Sequence, residues 1–324
     1  MRSGSGRVRQ CTDTVLMLRP NHFGHNEATA GTNLFQHFPE GFTRDEIHQR
    51  ALQEFEQFRR ALVDAGVNVI IFDDTETPQT PDAIFPNNWF STHQEGSLVL
   101  YPMEGKNRRE ERRADIVRWL TETYGFKKIL DLTTNEEGGR FLEGTGSMVI
   151  DRPNRIVYAC RSSRTDESLV HECAATLNLQ PYLFEARVMT NEETGFETMH
   201  PIYHTNVMMA IGESTTVICV EVISNKEDRR RVVRSLEDGG HHVVEITASQ
   251  VHQFAGNLLQ LRNQRGEHFW VMSTQAHQSL TPLQRVALTS DGSHIFHSPL
   301  NTIEYVGGGS ARCMLAEIFY PSLQ

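Results

Sequence analysis

One cysteine near the end of the chain, Cys313, follows the run Gly307-Gly308-Gly309-Ser310-Ala311-Arg312. Glycines allow φ > 0 and let a backbone approach a small ligand closely. A thiol held there as thiolate is a nucleophile. It needs an imidazole to move protons and a carboxylate to orient that imidazole. His204, in Tyr203-His204-Thr205-Asn206, and Glu143, in Glu143-Gly144-Thr145-Gly146, have those chemistries. A buried structural cysteine in a glycine turn is the plainer alternative.

The rest of the composition narrows the setting. The chain has 324 residues, 38% hydrophobic and 22% charged, and can bury one large core. A formal charge of -10 and a pI near 5.8 disfavour nucleic acid or an anionic membrane as partner. No apolar run approaches the roughly 20 residues that span a bilayer. Residues 1–7 are polar, and residues 1–12 are expected to form a disordered lead-in to a single domain over 13–324. The five cysteines are Cys11, Cys160, Cys173, Cys219 and Cys313, with no C-x-x-C. They read as free thiols of a reducing, cytoplasmic setting. The fifteen histidines show no metal-site spacing, so neither metal nor cofactor is expected. His241-His242 reads as a solvated turn before a strand.

Positioning such distant residues requires a repeating scaffold, and the sequence contains one. Polar motifs anchored at Asn88, Glu143, His204, Asn257 and Cys313 recur at intervals of 55, 61, 53 and 56 residues. A short apolar strand, a Gly/Pro/Asn turn and a second apolar strand follow each motif in the first four units, predicting hairpins. Helices are predicted over 108–123, 167–177 and 227–237, each leading to a further strand. Helix 44–65, with Leu52, Phe55, Phe58, Leu62 and Val63 on its apolar side, leads to a strand over 67–72. Cys313 to Phe319 would close the fifth unit against strand 14–18. A period of 50–60 residues marks a repeat architecture. In a closed five-unit fan the strand starts would face one central funnel.

Taken in order, Pro81-Asp82-Ala83-Ile84-Phe85-Pro86-Asn87-Asn88-Trp89, Leu142-Glu143-Gly144-Thr145-Gly146-Ser147, Tyr203-His204-Thr205-Asn206-Val207, Phe254-Ala255-Gly256-Asn257 and the Gly307–Met314 segment resemble the guanidino-group-modifying superfamily. This is the pentein or amidinotransferase superfamily, and the likeness runs from about Leu16 to Phe319. The nearest resemblance is to citrulline-utilisation hydrolases. It implies an α/β fold, a pentein five-bladed α/β-propeller of pseudo-fivefold ββαβ repeats around a central funnel. It implies Cys313 as nucleophile, His204 as general acid/base and Glu143 as the carboxylate that orients His204. The family's substrate-binding carboxylates fall on Asn88 and Asn206, and an asparagine of the arginine deiminases falls on Asp82. An arginine that grips the substrate carboxylate lies in a pattern matched by Pro102-Met103 and Arg108-Arg109-x-Glu111, leaving Arg108 or Arg109 as candidate. A second matches Arg164-Thr165. A further deiminase arginine falls on Gly308 and is absent.

The two departures from carboxylate to asparagine bear on substrate. A guanidinium offers only donors and a positive charge, so its site wants acidic acceptors. A neutral ureido group has both donors and an acceptor, which an amide can match. The sequence therefore favours citrulline, converted to ornithine, ammonia and carbon dioxide, with main-chain N–H groups of the glycine run stabilising the oxyanion. Arginine deiminase, dimethylarginine hydrolase and amidinotransferase are the enzymatic alternatives. The same fold also serves as a non-catalytic binding protein. The expected partner is a small ureido or guanidino amino acid, and the assembly a monomer or homodimer.

Overall fold

The computed structural model describes residues 8–191 and 197–321. Runs rich in Val, Ile, Leu and Phe pair as strands wherever a turn or helix brings the next run alongside. Five three-stranded sheets result, together with a two-stranded hairpin, Arg187–Asn191 with Glu197–Pro201. The sheets share one plan: an outer strand, a middle strand antiparallel to it, then a third strand parallel to the middle one. In chain order the first three are Phe90–Thr92, Ser97–Leu100 and Lys128–Asp131. Val149–Asp151, Ile156–Cys160 and Gln180–Phe184 form the next. Then come Met209–Ile211, Thr215–Ile218 and His242–Glu245, and Leu259–Arg262, His268–Ser273 and His294–Ser298. The remaining sheet is assembled from both ends of the chain. Ala316–Glu317 pairs antiparallel with Thr14–Arg19, which pairs parallel with Asn68–Asp73.

A parallel pair needs a crossover, and helices provide it. Helix Arg44–Asp64 joins the parallel strands of the last sheet. It starts at a capping box in which Thr43 and Glu46 satisfy each other's backbone N–H groups. Its buried face is Ile47, Ala51, Phe55, Phe58 and Leu62, the i, i+4 spacing of one helical stripe. Val63, expected in the core, is 46% exposed because it lies one residue, or about 100° of turn, from Leu62. Helices Ala114–Tyr124, Glu167–Leu177 and Lys226–Asp238 are the equivalent crossovers. The sheet of Leu259–Arg262, His268–Ser273 and His294–Ser298 uses two short ones, Thr274–Ser279 and Pro282–Leu288, which the sequence reading lacked, as it did the 187–201 hairpin and helix Asn301–Gly307.

Three expectations are corrected. The continuous helix over 108–123 is a 3-10 segment, Lys106–Glu111, followed by the α-helix Ala114–Tyr124. The break frees the Arg108 side chain to turn inward and pair with Glu111 instead of lining a solvated helix face. Residues 10–12 are not a disordered lead-in: Gln10, Cys11 and Thr12 are buried. Gln10 donates to the carbonyls of Ile150 and Ile211 and accepts from the Arg152 amide, tying the N-terminal segment to two sheets. Residues 1–7 lie outside the described residues. His241 is buried rather than solvated, its Nε2 2.8 Å from the Asp151 carboxylate.

The core cluster that matters for the site packs Phe55, Phe58 and Leu62 against Val15, Met17, Ile303, Val306, Met314 and Leu315, and it includes Cys313. The long helix thus anchors the segment that carries the cysteine.

Candidate active site

Each predicted anchor sits in the turn that feeds the first strand of a sheet. Asn88 ends the 3-10 segment Pro86–Asn88, two residues before Phe90. Glu143 caps the short helix Gly144–Ser147 that precedes Val149. His204 caps Thr205–Val207, ahead of Met209. Asn257 and Cys313 lie in turns closed by Asn257 N to Phe254 O (2.9 Å) and Cys313 N to Ser310 O (3.0 Å). Strand starts are where backbone groups lie free of ladder bonds and polar side chains can gather at one end of the sheets.

These side chains meet in a buried polar network. His204 Nε2 lies 2.9 Å from Glu143 Oε2, and both residues are almost wholly buried. Glu143 Oε1 accepts from the Glu104 amide at 3.0 Å. Burial pushes the Glu143 carboxyl up, but the Arg164 guanidinium and the His204 hydrogen bond outweigh it, and the group falls well below the usual carboxylate range. Glu143 is therefore an acceptor only, so His204 carries its proton on Nε2. Burial lowers the imidazole below its ordinary value against the pull of Glu143, leaving a neutral ring at neutral pH. Its Nδ1 packs against Gly146, where a Cβ would lie 2.7 Å from it.

The sulfur is held by amides. Asn257 Nδ2 donates to Cys313 Sγ at 3.2 Å, and Asn206 Nδ2 at 3.6 Å. Asn257 is locked in that orientation because the same nitrogen donates to Asn206 O (3.1 Å) and its Oδ1 accepts from the Arg312 amide (3.1 Å). A thiolate accepts such bonds more strongly than a thiol. Among the other cysteines, Cys160 accepts from the Thr205 hydroxyl at 3.4 Å, and burial pushes Cys160 up to about 11 and Cys173 and Cys219 to about 12, and raises Cys11 as well.

Tyr203 links the two halves. Its ring lies 4.7 Å from that of His204, and its hydroxyl donates to Gly308 O at 2.8 Å, within the glycine run. The ionisable groups that act on it include Cys313, Arg164, Asp82 and Glu143.

The glycine run has the left-handed turn and the close packing expected of it, and three amides of the segment are engaged within the protein. The amides of Gly308, Arg312 and Cys313 are already bonded to Glu304 O, Asn257 Oδ1 and Ser310 O. At Gly309 the need is space: a Cβ there would lie 2.7 Å from the Phe85 ring. Gly308 is left-handed at φ +65, where its Cβ would also strike Asn33.

Of the two candidate arginines in the 108–109 pair, Arg108 enters the network. It is bidentate to Glu111 at 2.9 Å on both bonds and donates to Asn88 Oδ1 at 3.1 Å. Its guanidinium also lies 3.7 Å from Asp82 and 3.8 Å from Glu143. Burial works against its charge, but those three carboxylates outweigh it and hold it above its ordinary value. Arg109 turns away, donating to Met103 O and lying over the Phe141 ring. Arg164 is inside: it bonds Thr32 (2.7 Å) and Glu104 (3.2 Å), lies 3.5 Å from Glu143, and covers the Tyr203 ring. Asp82 accepts from Asn26 (2.7 Å) and Thr29 (3.3 Å) through Oδ2. Among the described residues, Asp82 Oδ1 and Asn206 Oδ1 are buried acceptors without a partner, as is Asn87 Oδ1 beside Asn88.

Sequence reading did not assign Asn257, Glu111 or Tyr203 to the site. Asn257 had a signal, as an anchor of the repeat, and Glu111 lay within the arginine pattern. Asn26, from the loop after the first strand, had none.

The sequence profile of a family described as N,N dimethylarginine dimethylhydrolase, eukaryotic, matches residues 19–320. Compared by sequence with curated proteins, the chain has no significant match. Among solved structures it resembles the N-terminal domain of ArgZ, an arginine dihydrolase from the ornithine-ammonia cycle in cyanobacteria, in a cysteine-to-serine mutant bound to substrate. The TM-score is 0.71 at 17% identity, over 96% of this chain and 99% of that one. Unliganded AgrE gives the same score and identity, but the chain spans only 40% of it. A dimethylarginine dimethylaminohydrolase, a histidine-to-glycine mutant in an adduct with S-methyl-L-thiocitrulline, matches with TM-score 0.62 and 13% identity, over 95% of this chain and 100% of that one. At these identities the structural likeness speaks for the fold, and the profile spanning residues 19–320 decides membership. The chain belongs to the N,N dimethylarginine dimethylhydrolase family, within the guanidino-group-modifying superfamily.

Proposed function

We propose that this protein is a cysteine-dependent hydrolase that acts at the guanidino carbon of a small arginine-like amino acid. The observation that carries the reading is a pair of buried acceptors in this network, Asp82 Oδ1 and Asn206 Oδ1, left without a partner among the described residues. Asn206 and Asn88 offer both donor and acceptor in principle, which is why the sequence pointed to a ureido head. Here the Asn206 nitrogen is directed at Cys313 and the Asn88 nitrogen at Glu143 O, while Arg108 fills Asn88 Oδ1. Asp82 Oδ1 and Asn206 Oδ1 remain. A donor-only cationic head satisfies both, whereas leaving them empty costs about 1–3 kcal/mol each. Citrulline is the second reading, favoured by the neutral amides at 88 and 206 where relatives are expected to carry carboxylates.

The five sheets are best understood as blades of a five-bladed α/β-propeller. Supporting this, residues of the first strands of four sheets, together with Gln10, line one cavity of about 30 Å³. The site residues would then surround one mouth of the central funnel.

The chemistry follows from the proton positions. The Cys313 proton passes to His204 Nδ1, and the resulting imidazolium is stabilised by Glu143. The thiolate attacks the guanidino carbon, forming a C–S bond. The imidazolium protonates the departing nitrogen, the C–N bond breaks, and ammonia or an alkylamine leaves. His204, neutral again, takes a proton from water as its oxygen attacks the same carbon. The C–S bond breaks, the departing Cys313 sulfur takes back the proton from His204, and a ureido product is released. No step requires a metal or organic cofactor.

The test is a substrate panel of arginine, N-methylated arginines, agmatine and citrulline, read for amine release and ureido product. We expect turnover of a guanidino substrate and its abolition in Cys313→Ser. Turnover surviving in Cys313→Ser overturns the mechanism, and consumption of citrulline alone overturns the first substrate reading in favour of the second.

A further inference from the structure

Away from this cluster, three residues far apart in sequence bring metal-ligating atoms together. Cys11 Sγ, a Glu213 carboxylate oxygen and a His268 ring nitrogen all lie within 4.8 Å of one another. Cys11 belongs to the segment before strand Thr14–Arg19. Glu213 lies in the turn between Met209–Ile211 and Thr215–Ile218, and so at the opposite end of that first strand from Asn206. His268 opens strand His268–Ser273.

We propose that Cys11, Glu213 and His268 bind one divalent cation of the zinc type. One thiolate, one imidazole and one carboxylate form the borderline-soft donor set that selects zinc over magnesium or calcium, with a fourth position for water. Ligand atoms around a tetrahedral zinc stand about 3.5 Å apart. Closing from the present spread requires modest rotation of Glu213 and His268, which are only partly buried. Both are available for it: among the described residues, neither the Glu213 carboxylate nor the His268 ring has a hydrogen-bonding partner. Gln260 pre-assembles the other side, its Oε1 accepting from Cys11 Sγ (3.2 Å) and from the Glu213 amide (2.7 Å). The surroundings are anionic, with Asp291 and Glu317 adding to Glu213 around the thiol. The nearby cation, Arg262, is engaged by Asp13 at 2.5 Å. Binding displaces the Cys11 proton to solvent as the metal–sulfur bond forms. The ion would tie the N-terminal segment to two sheets, which makes it a clamp rather than a reagent.

The test uses the full chain carrying Cys313→Ser, so that the active-site sulfur contributes nothing. Cobalt(II) is titrated as a spectroscopic substitute, followed by competition with zinc and with magnesium. The expected result is a sulfur-to-cobalt charge-transfer band that saturates at one equivalent, is displaced by zinc and is indifferent to magnesium. Adding Cys11→Ser should remove the band. His268→Gln and Glu213→Gln, at partly exposed positions that should not disturb folding, should each weaken affinity by tenfold or more, since even outer-shell losses cost about 10–100-fold. Zinc should raise the melting temperature of the Cys313→Ser protein and leave that of the Cys11→Ser double variant unchanged. Absence of a charge-transfer band, or its persistence without Cys11, overturns the assignment.

Discussion

Replacing Glu143 by glutamine tests the catalytic reading most directly. Glu143 Oε2 stands 2.9 Å from His204 Nε2 with both groups removed from water. Glutamine keeps a carbonyl oxygen there and can still accept the Nε2 proton, so the resting geometry is preserved. What it removes is the negative charge facing the imidazolium that forms only during turnover. Two unit charges at this separation attract by about 5–6 kcal/mol at an effective dielectric near 20. Part of that is returned by the retained dipole, so we expect a loss of about 2–4 kcal/mol, or roughly 30- to 1,000-fold in kcat. The same change leaves Arg164 and Arg108 with one fewer counter-charge, so the variant will be less stable and must be assayed well below its melting temperature. A pH profile separates the two effects. Burial lowers the His204 imidazole and Glu143 alone pulls it back up, so losing that charge should move the acid limb of kcat/KM to lower pH. A correctly folded variant with kcat within threefold of wild type and an unmoved acid limb would refute the Glu143–His204 pair as catalytic machinery.

Three other outcomes follow from the structure. Gly146→Ala would place a methyl 2.4 Å from Asn88 Nδ2 and 2.7 Å from His204 Nδ1, so displacement of the ring should lower kcat about 100-fold while costing about 1–3 kcal/mol of stability. His204 and the fully buried His93 both titrate below the ordinary 6.5 because burial disfavours their charged forms. The unfolded chain then takes up more protons at these two rings, so each lowers the melting temperature as pH drops below about 6.5, against the opposite pull of Glu111 and Glu304, whose carboxyls burial raises to about 7, and His93→Gln should lose less melting temperature than wild type between pH 6.5 and 5. Phe58 is fully buried on the inner face of the helix that anchors the Cys313 segment, and Phe58→Ala should cost about 3–5 kcal/mol, read as a lower urea midpoint.

The units of the fold were legible because their signals are local. Strand Ile156–Cys160 and helix Glu167–Leu177 match the sequence reading to the residue, and the anchors were correctly placed ahead of strands. Alternating apolar runs, turns and caps act over a few residues, and those contacts form within a unit. The reading failed where one residue answers to a distant one. Arg108 leaves a helical pattern to reach Glu111, Asn88 and Asp82. Gln10 and Cys11 are ordered by sheets more than a hundred residues away.

The sequence by itself determined the residue types available for catalysis, their order and their spacing along a repeating scaffold. Only the tertiary structure decided which atoms of those residues remain free. An asparagine carries a donor and an acceptor in any sequence. Packing beside Cys313 directs the Asn206 nitrogen at the sulfur and leaves its oxygen without a partner among the described residues, and that difference is why the proposed head group is cationic rather than neutral. Hydrogen-bond capacity is a property of the residue, but its unspent remainder depends on every neighbour the fold assembles.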